Sequence, residues 1–388
     1  MKLALLGTDA DSLELAQAAV ELGHVVTAVA EPRPEHLAAL RQAAPALATL
    51  EHWESLLDGG MADALIVSRG DNEDQRADQL RMLVQAGMPM LVVHPVHESM
   101  LIYYELDMIR QESACMLVSY APERWHPAVA RLAALSRDSQ AGLGKLEQIA
   151  FERHMPDRSR RSVLARFARD AELARALAGE ITKVAAMTAQ GAQIDYANLG
   201  VQMSTADGTL VRWSVLPADA PSARLVLVGS CGKATLEIPP ADADWTLETR
   251  LGGQAETESF ADWDAPAMAL HYLSEAMAGV EVHPNWMDAA RDMELADAVG
   301  RSAHKGRTID LHYEEHTEQG TFKGIMAAGG CGLLILSLIL VIVATTVANL
   351  FRRGQNFPLA GRWPYLLVGV LVAFLLLQLL KLAFPKEK

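Results

Sequence analysis

The sequence predicts an α/β protein in three parts: a doubly wound parallel sheet, an α+β domain with a mostly antiparallel sheet, and a transmembrane helical hairpin. Three observations predict it. Short apolar runs alternate with amphipathic helical stretches up to Tyr120. Runs of period-two alternation fill residues 181–260, one of them turning at Asp207-Gly208. Two long apolar stretches close the chain.

The elements follow in order. KLALLG is an apolar run ending on Gly7, and Asp11-Ser12 offers an N-cap for the helix SLELAQAAVELG, whose apolar positions recur at helical spacing. The strand VVTAVAE comes next. The helix HLAALRQA, the strand ADALIVS, the helix EDQRADQLRMLVQAG, the strand MPMLVVHP, the helix HESMLIYYELDMIRQES and the strand CMLVSY complete the first part. Residues 121–180 read as mostly helical and rich in arginine. TKVAAMTAQ, GVQMSTADGTLVRWSVL, ARLVLVGSCGKATLEI and WTLETRL read as strands. A helical stretch from Pro266 to Lys305 leads into TIDLHYEEH. The expected divisions are domains over 1–120 and 121–312, a linker over 313–324, spans over 325–351 and 363–383, and a loop over 352–362.

Composition narrows the function classes. Of 388 residues, 51% are hydrophobic and 21% charged, which excludes a disordered chain. A net charge of −14 argues against nucleic acid as a partner. Cys115, Cys231 and Cys331 are too few and too scattered for a disulfide framework. A mean hydropathy of +0.11 is high for so acidic a chain. The excess lies in GLLILSLILVIVATTVANL and WPYLLVGVLVAFLLLQLL, each near the ~20 apolar residues of a membrane span. Trp363 and Tyr365 look like interface anchors. Residues 324–388 carry six basic side chains and one acid, +5, so residues 1–323 carry −19. The expectation is a protein of the membrane with two spans. MKLALLG is too short for a signal-peptide core, so the acidic body is expected in the cytoplasm.

Four segments carry a family resemblance. ADALIVS followed by AGMPMLVVHP is similar to D-A-V-x-V-x-T-P … G-K-x-V-x-x-E-K-P. CMLVSYAPERWHPAVARL, with Arg124 and Pro127 in place, is similar to G-x-x-x-x-V-G-x-x-R-R-x-x-P. LARALAGEI is similar to L-x-R-W-L-L-G-E. MDAARDMELADAVGRSAHKGRTIDL is similar to a closing E-D-A … A-I-x-x-S-A-x-x-G-R-x-V-x-L. Over residues 1–312 the chain therefore resembles the glucose–fructose oxidoreductase/inositol dehydrogenase (Gfo/Idh/MocA) family. A membrane hairpin is not part of that family's pattern.

The resemblance implies a Rossmann-type domain holding NAD or NADP. It also implies hydride transfer to or from a sugar or cyclitol derivative, and a homo-oligomer. Cofactor contacts are implied at Gly7, Thr8, Glu31 and Pro95. Of the three glycines of such a turn only Gly7 stands here, with Asp9 in the second place and Ser12 in the third. Asp9 adds a side chain and a negative charge where a diphosphate would lie. Glu31 can bind a ribose hydroxyl pair or be a solvated strand-end carboxylate.

The family's catalytic lysine falls on His94, and its aspartate and histidine fall on Ala165 and Arg169, with Asp170 and Glu172 the nearest carboxylates. His94 is then the one candidate proton carrier. Arg169 cannot take a proton but can bind an anionic substrate, as can Arg124. His94 and His97 flank Pro95 without a third ligand, so no metal site is expected. The arginines from Arg153 to Arg175 can bind an anionic substrate, lie on membrane lipid, or form a solvated face paired with Asp157, Asp170 and Glu172. Two functions are compatible with this pattern. One is a membrane-anchored NAD(P)-dependent oxidoreductase. The other is an inactive pseudo-oxidoreductase serving as a binding or scaffolding module.

Overall fold

The structure is a computed structural model that describes residues 1–311, apart from 59, 139–141, 189–195, 241–242 and 262. The expected linker, both spans and their loop lie outside the described residues. Among the described residues no helix is long and apolar enough to cross a membrane.

The first sheet contains β1 (Lys2–Leu6), β2 (Val25–Ala30), β3 (Ala48–Leu50), β4 (Ala64–Val67), β5 (Met90–Val93) and β6 (Leu117–Tyr120). Its helices are α1 (Ala10–Glu21), α2 (Pro34–Ala43), α3 (Glu73–Gln85) and α4 (Met100–Ser113). The strands are all parallel in the order β3-β2-β1-β4-β5-β6. Every residue of β4, β5 and β6 is buried, as helices on both faces require. The strand order reverses beside β1, so a crevice opens at the carboxyl ends of β1 and β4, where ligands bind in such sheets. The sequence reading missed β3, a three-residue edge strand with no buried residue.

A second correction concerns residues 121–180. They contain α5 (Pro127–Arg137) and α6 (Arg160–Ala178), but between them runs β7 (Leu146–Met155). Its sequence LEQIAFERHM alternates, with Ile149, Phe151, Arg153 and Met155 buried, and the charged residues among them hide the strand signal. The sheet continues through β8 (Ile181–Met187), β9 (Gly200–Thr205), β10 (Leu210–Pro217), β11 (Ser222–Gly229), β12 (Gly232–Ile238), β13 (Trp245–Leu251) and β14 (Gln254–Phe260). It is mixed, because β7 runs parallel to β10 and antiparallel to β11.

The expected closing helix is two helices, α7 (Ala265–Met277) and α8 (Trp286–Lys305), and β15 (Ile309–Asp310) then completes the sheet edge. Gly279, at φ +87°, lies in the break between them. Ala269, Leu270, Leu273 and Ala276 of α7 join Leu3, Leu5, Leu15 and Ala19 in one core, so this late helix covers the first sheet. Helix α8 packs on α4, α6 and β8.

Candidate functional site

The turn between β1 and α1 departs from the expected cap. Asp9 is the N-cap, in place of Asp11-Ser12. Its Oδ1 accepts from the Ser12 amide at 2.8 Å, and Ser12 Oγ accepts from the Asp9 amide at 2.8 Å, a reciprocal capping box. Asp9 Oδ2 also accepts from the Arg69 amide after β4, at 3.2 Å. The carboxylate thus stands at the helix N-terminus where a dinucleotide fold holds a diphosphate, and it takes the amides the diphosphate would use. Asp9 and the groups around it do not fit that part of a dinucleotide.

Gly7 adopts φ +73°. A Cβ built there would stand 2.5 Å from both Arg76 Nη2 and Ser68 Oγ, so the glycine makes room for a guanidinium from α3. Arg76 is 3% exposed and is wedged against Gly7 and Gly70. Gly7→Ala is expected to lower the unfolding free energy by about 1–3 kcal/mol. Urea denaturation checks it, and a change within a few tenths would show that this packing is not required.

Glu31 directly follows β2 at φ +52°, an uncommon backbone conformation for a non-glycine residue. Its carboxylate accepts from Gln75 Nε2 at 3.0 Å, Gln79 Nε2 at 2.6 Å and Arg76 Nη2 at 3.3 Å, all from α3. The oxygens implied for a ribose are therefore already engaged. Thr8 Oγ1 accepts from the Arg33 amide at 2.8 Å and pairs with His36 at 3.1 Å. Thr8, Glu31, Arg33 and the three α3 side chains line a cavity of about 200 Å³, below the usual size of a small-molecule pocket.

A larger cleft of about 560 Å³ opens at the carboxyl ends of the first sheet, walled by Asp9, Asp11, His94, Pro95 and Arg169 among others. His94 and Arg169 are brought together here: Arg169 Nε donates to the His94 carbonyl at 2.6 Å, and its guanidinium pairs with Asp11. The His94 ring is 2% exposed, with neither nitrogen hydrogen-bonded. Burial, with the Arg169 charge beside it, pulls its pKa down to about 3. At neutral pH the ring is uncharged and too weak a base to suit general-base catalysis. Pro95, joined to His94 by a cis peptide, lines the same cleft. Arg33, Arg69, Arg161, Arg166 and Arg169 face it with three carboxylates, Asp9, Asp11 and Asp71, so the lining is net basic.

Arg124 is not in that lining; its Nε lies 3.3 Å from Glu172. The expected solvated arginine face is in part buried. Arg153 is held by Asp170, which also accepts from Trp213 Nε1 at 2.9 Å. Arg175, 8% exposed, lies among Glu172, Glu180, Asp288 and Asp292. Burial, together with Glu172, holds Asp292 well above the usual carboxylate range. His97 accepts from the Ser99 amide at 2.8 Å, and among the described residues no group of side chains is placed to hold a metal ion.

The sequence reading missed Arg76, Gln75 and Gln79. Their spacing on one helix could have flagged a shared face, but nothing local points to Glu31.

No family model and no curated protein matches the sequence. Solved structures share the fold. A myo-inositol dehydrogenase from Corynebacterium glutamicum is 20% identical, with 81% of this chain and 99% of that one covered, at a TM-score of 0.64. An aldose–aldose oxidoreductase from Caulobacter crescentus is 16% identical, with 80% and 99% covered, at 0.68. An oxidoreductase from Agrobacterium radiobacter, in complex with NAD+, L-tartaric acid and magnesium, is 15% identical, with 80% and 98% covered, at 0.66.

Proposed function

We propose that this chain is a membrane-anchored binding protein built on the fold of NAD(P)-dependent sugar and cyclitol oxidoreductases, without their hydride-transfer chemistry. Its central cleft would take a small anionic sugar or cyclitol derivative. One observation carries the reading: the Asp9 carboxylate caps α1 and holds the Ser12 and Arg69 amides. The engagement of Glu31 by three α3 side chains and the low basicity of His94 support it. Arg169 and Arg166 supply cations at the cleft for an anionic group. The apolar runs over 325–351 and 363–383 supply the anchor, with the −19 body in the cytoplasm.

The test is titration of NADH and NADPH fluorescence with the full chain. No saturable change is expected up to about 1 mM, the upper end of ordinary KM values. Asp9→Gly frees two amides and removes a negative charge, and is expected to bring saturable binding into that range. The same variant loses only about a few tenths of a kcal/mol of helix-cap stability, because glycine is tolerated at an N-cap. Wild-type saturation that Asp9→Gly does not tighten would sink the proposal.

A second reading, an active NAD(P)-dependent oxidoreductase, is favoured by Gly7 and Glu31 in their places beside a cleft at the strand ends. It requires turnover that Arg169→Ala spares and His94→Ala abolishes.

A further inference from the structure

A second cavity of about 270 Å³, adjoining the central cleft at Arg69, Pro95, Arg161 and Ala165, lies where the first turns of α6 meet the last turns of α8. Arg69, Arg160, Arg161, Arg301 and Lys305 line it against two carboxylates, Glu98 and Asp297. Five cations against two acids leave a local charge of +3, in a body whose overall charge is −19. A concave wall of one sign focuses its field on an incoming ion of the other.

The ion pairs inside the cavity divide its cations into two groups. Arg301 is paired with Asp297 at 2.7 Å. Arg69 and Arg161 share Glu73 and Glu98. Arg160 and Lys305 have no carboxylate partner among the described residues; the Arg160 guanidinium instead rests over the Tyr196 ring, 6.0 Å from its centroid. That contact orients the guanidinium while leaving its donors free.

Gly300 adds an independent sign. It stands inside α8, where glycine costs about 1 kcal/mol relative to alanine. A Cβ there would meet nothing closer than Arg160 Nη2 at 3.8 Å, so neighbouring atoms do not demand a glycine. The missing side chain leaves the space beside Arg160 clear. The N-terminus of α6, capped by Ser159, faces the same region and favours negative charge.

We propose that this cavity between α6 and α8 is a binding site for a phosphate group, with Arg160 and Lys305 as its principal ligands. The volume lies just under the usual range for a small-molecule pocket, which leaves room for a phosphate group with at most a small organic part and not for a dinucleotide. The phosphate can come from a soluble ester or from a lipid headgroup. The site does not depend on the nucleotide reading above, since neither Arg160 nor Lys305 lines the central cleft.

The experiment is calorimetric titration of inorganic pyrophosphate into the full chain in a neutral detergent, beside the double variant Arg160→Gln/Lys305→Gln. Saturable binding is expected, weakened roughly tenfold or more in the variant because two charge-assisted contacts are lost. The Tm without ligand should be close for the two proteins, since neither side chain has an ion pair to lose and the exposed contact of Arg160 with Tyr196 is worth only about 0.5–1 kcal/mol. Repeating the titration in mixed micelles with phosphatidic acid separates the sources. Loss of the pyrophosphate heat there assigns a lipid headgroup, and full retention assigns a soluble phosphoester. No saturable heat in neutral detergent, or equal affinity in the double variant, overturns the proposal.

Discussion

Arg175→Met is expected to lower the unfolding free energy by about 3–5 kcal/mol, the usual cost of removing one partner of a buried ion pair. Arg175 Nη1 donates to Glu172 at 3.1 Å, to Asp292 at 2.9 Å and to the Asp288 carbonyl at 3.1 Å. Its Nη2 reaches Glu180 at 3.3 Å and Asp288 at 3.4 Å. Methionine fills much of the volume but leaves Glu172 and Asp292 buried without that cation. Glu172 keeps Arg124, so Asp292 bears most of the loss. Replacing Asp292 with leucine in the same chain should recover part of it, because the uncompensated charge goes too. The deficit should also shrink as pH falls, since the variant's folded state binds a proton at these carboxylates more readily than its unfolded state does. Urea denaturation of the three proteins checks this, and a loss under about 1 kcal/mol for Arg175→Met would show that the cluster does not hold α6 to α8.

The second large effect is a dependence on pH carried by His94. Its folded pKa is about 3, below the ordinary 6.5, because the ring is buried with Arg169 nearby. Down from pH 6.5 the unfolded chain takes up a proton that the folded chain refuses. Stability present above 6.5 is therefore lost at about 1.4 kcal/mol per pH unit, until the folded ring itself titrates. His126, lowered to about 4 by burial, acts in the same direction. Comparing wild type with His94→Gln between pH 6 and pH 4 isolates the His94 contribution, because His126 is common to both. The wild-type slope should be steeper by about 1.4 kcal/mol per unit. Parallel slopes would place the His94 ring in water and restore it as a candidate proton carrier.

Much of the first sheet was legible because each element carries its own period. Continuous apolar runs such as LIV at Leu65–Val67 and LVV at Leu91–Val93, set between amphipathic helical stretches, read as strands buried on both faces. The strand β7 was not legible because Glu147 and Arg153 stand on the same parity as Ile149, Phe151 and Met155 and break its apolar alternation. Arg153 faces the core only because Asp170 of α6 meets it there. The unfavourable chemistry of Asp9 was legible from its place in a glycine turn. The bonds that fix it were not, since one comes from the amide of Arg69, 60 residues away.

The sequence by itself determined the alternation of strands and helices, the acidic body and the apolar C-terminal runs. These are matters of composition and local period. Only the tertiary structure decided what the remaining polar groups face. It placed three α3 side chains on Glu31, burial on His94, and four carboxylates around Arg175. The physical reason is that a side chain's charge and basicity depend on neighbours distant in sequence and on the water removed when they pack.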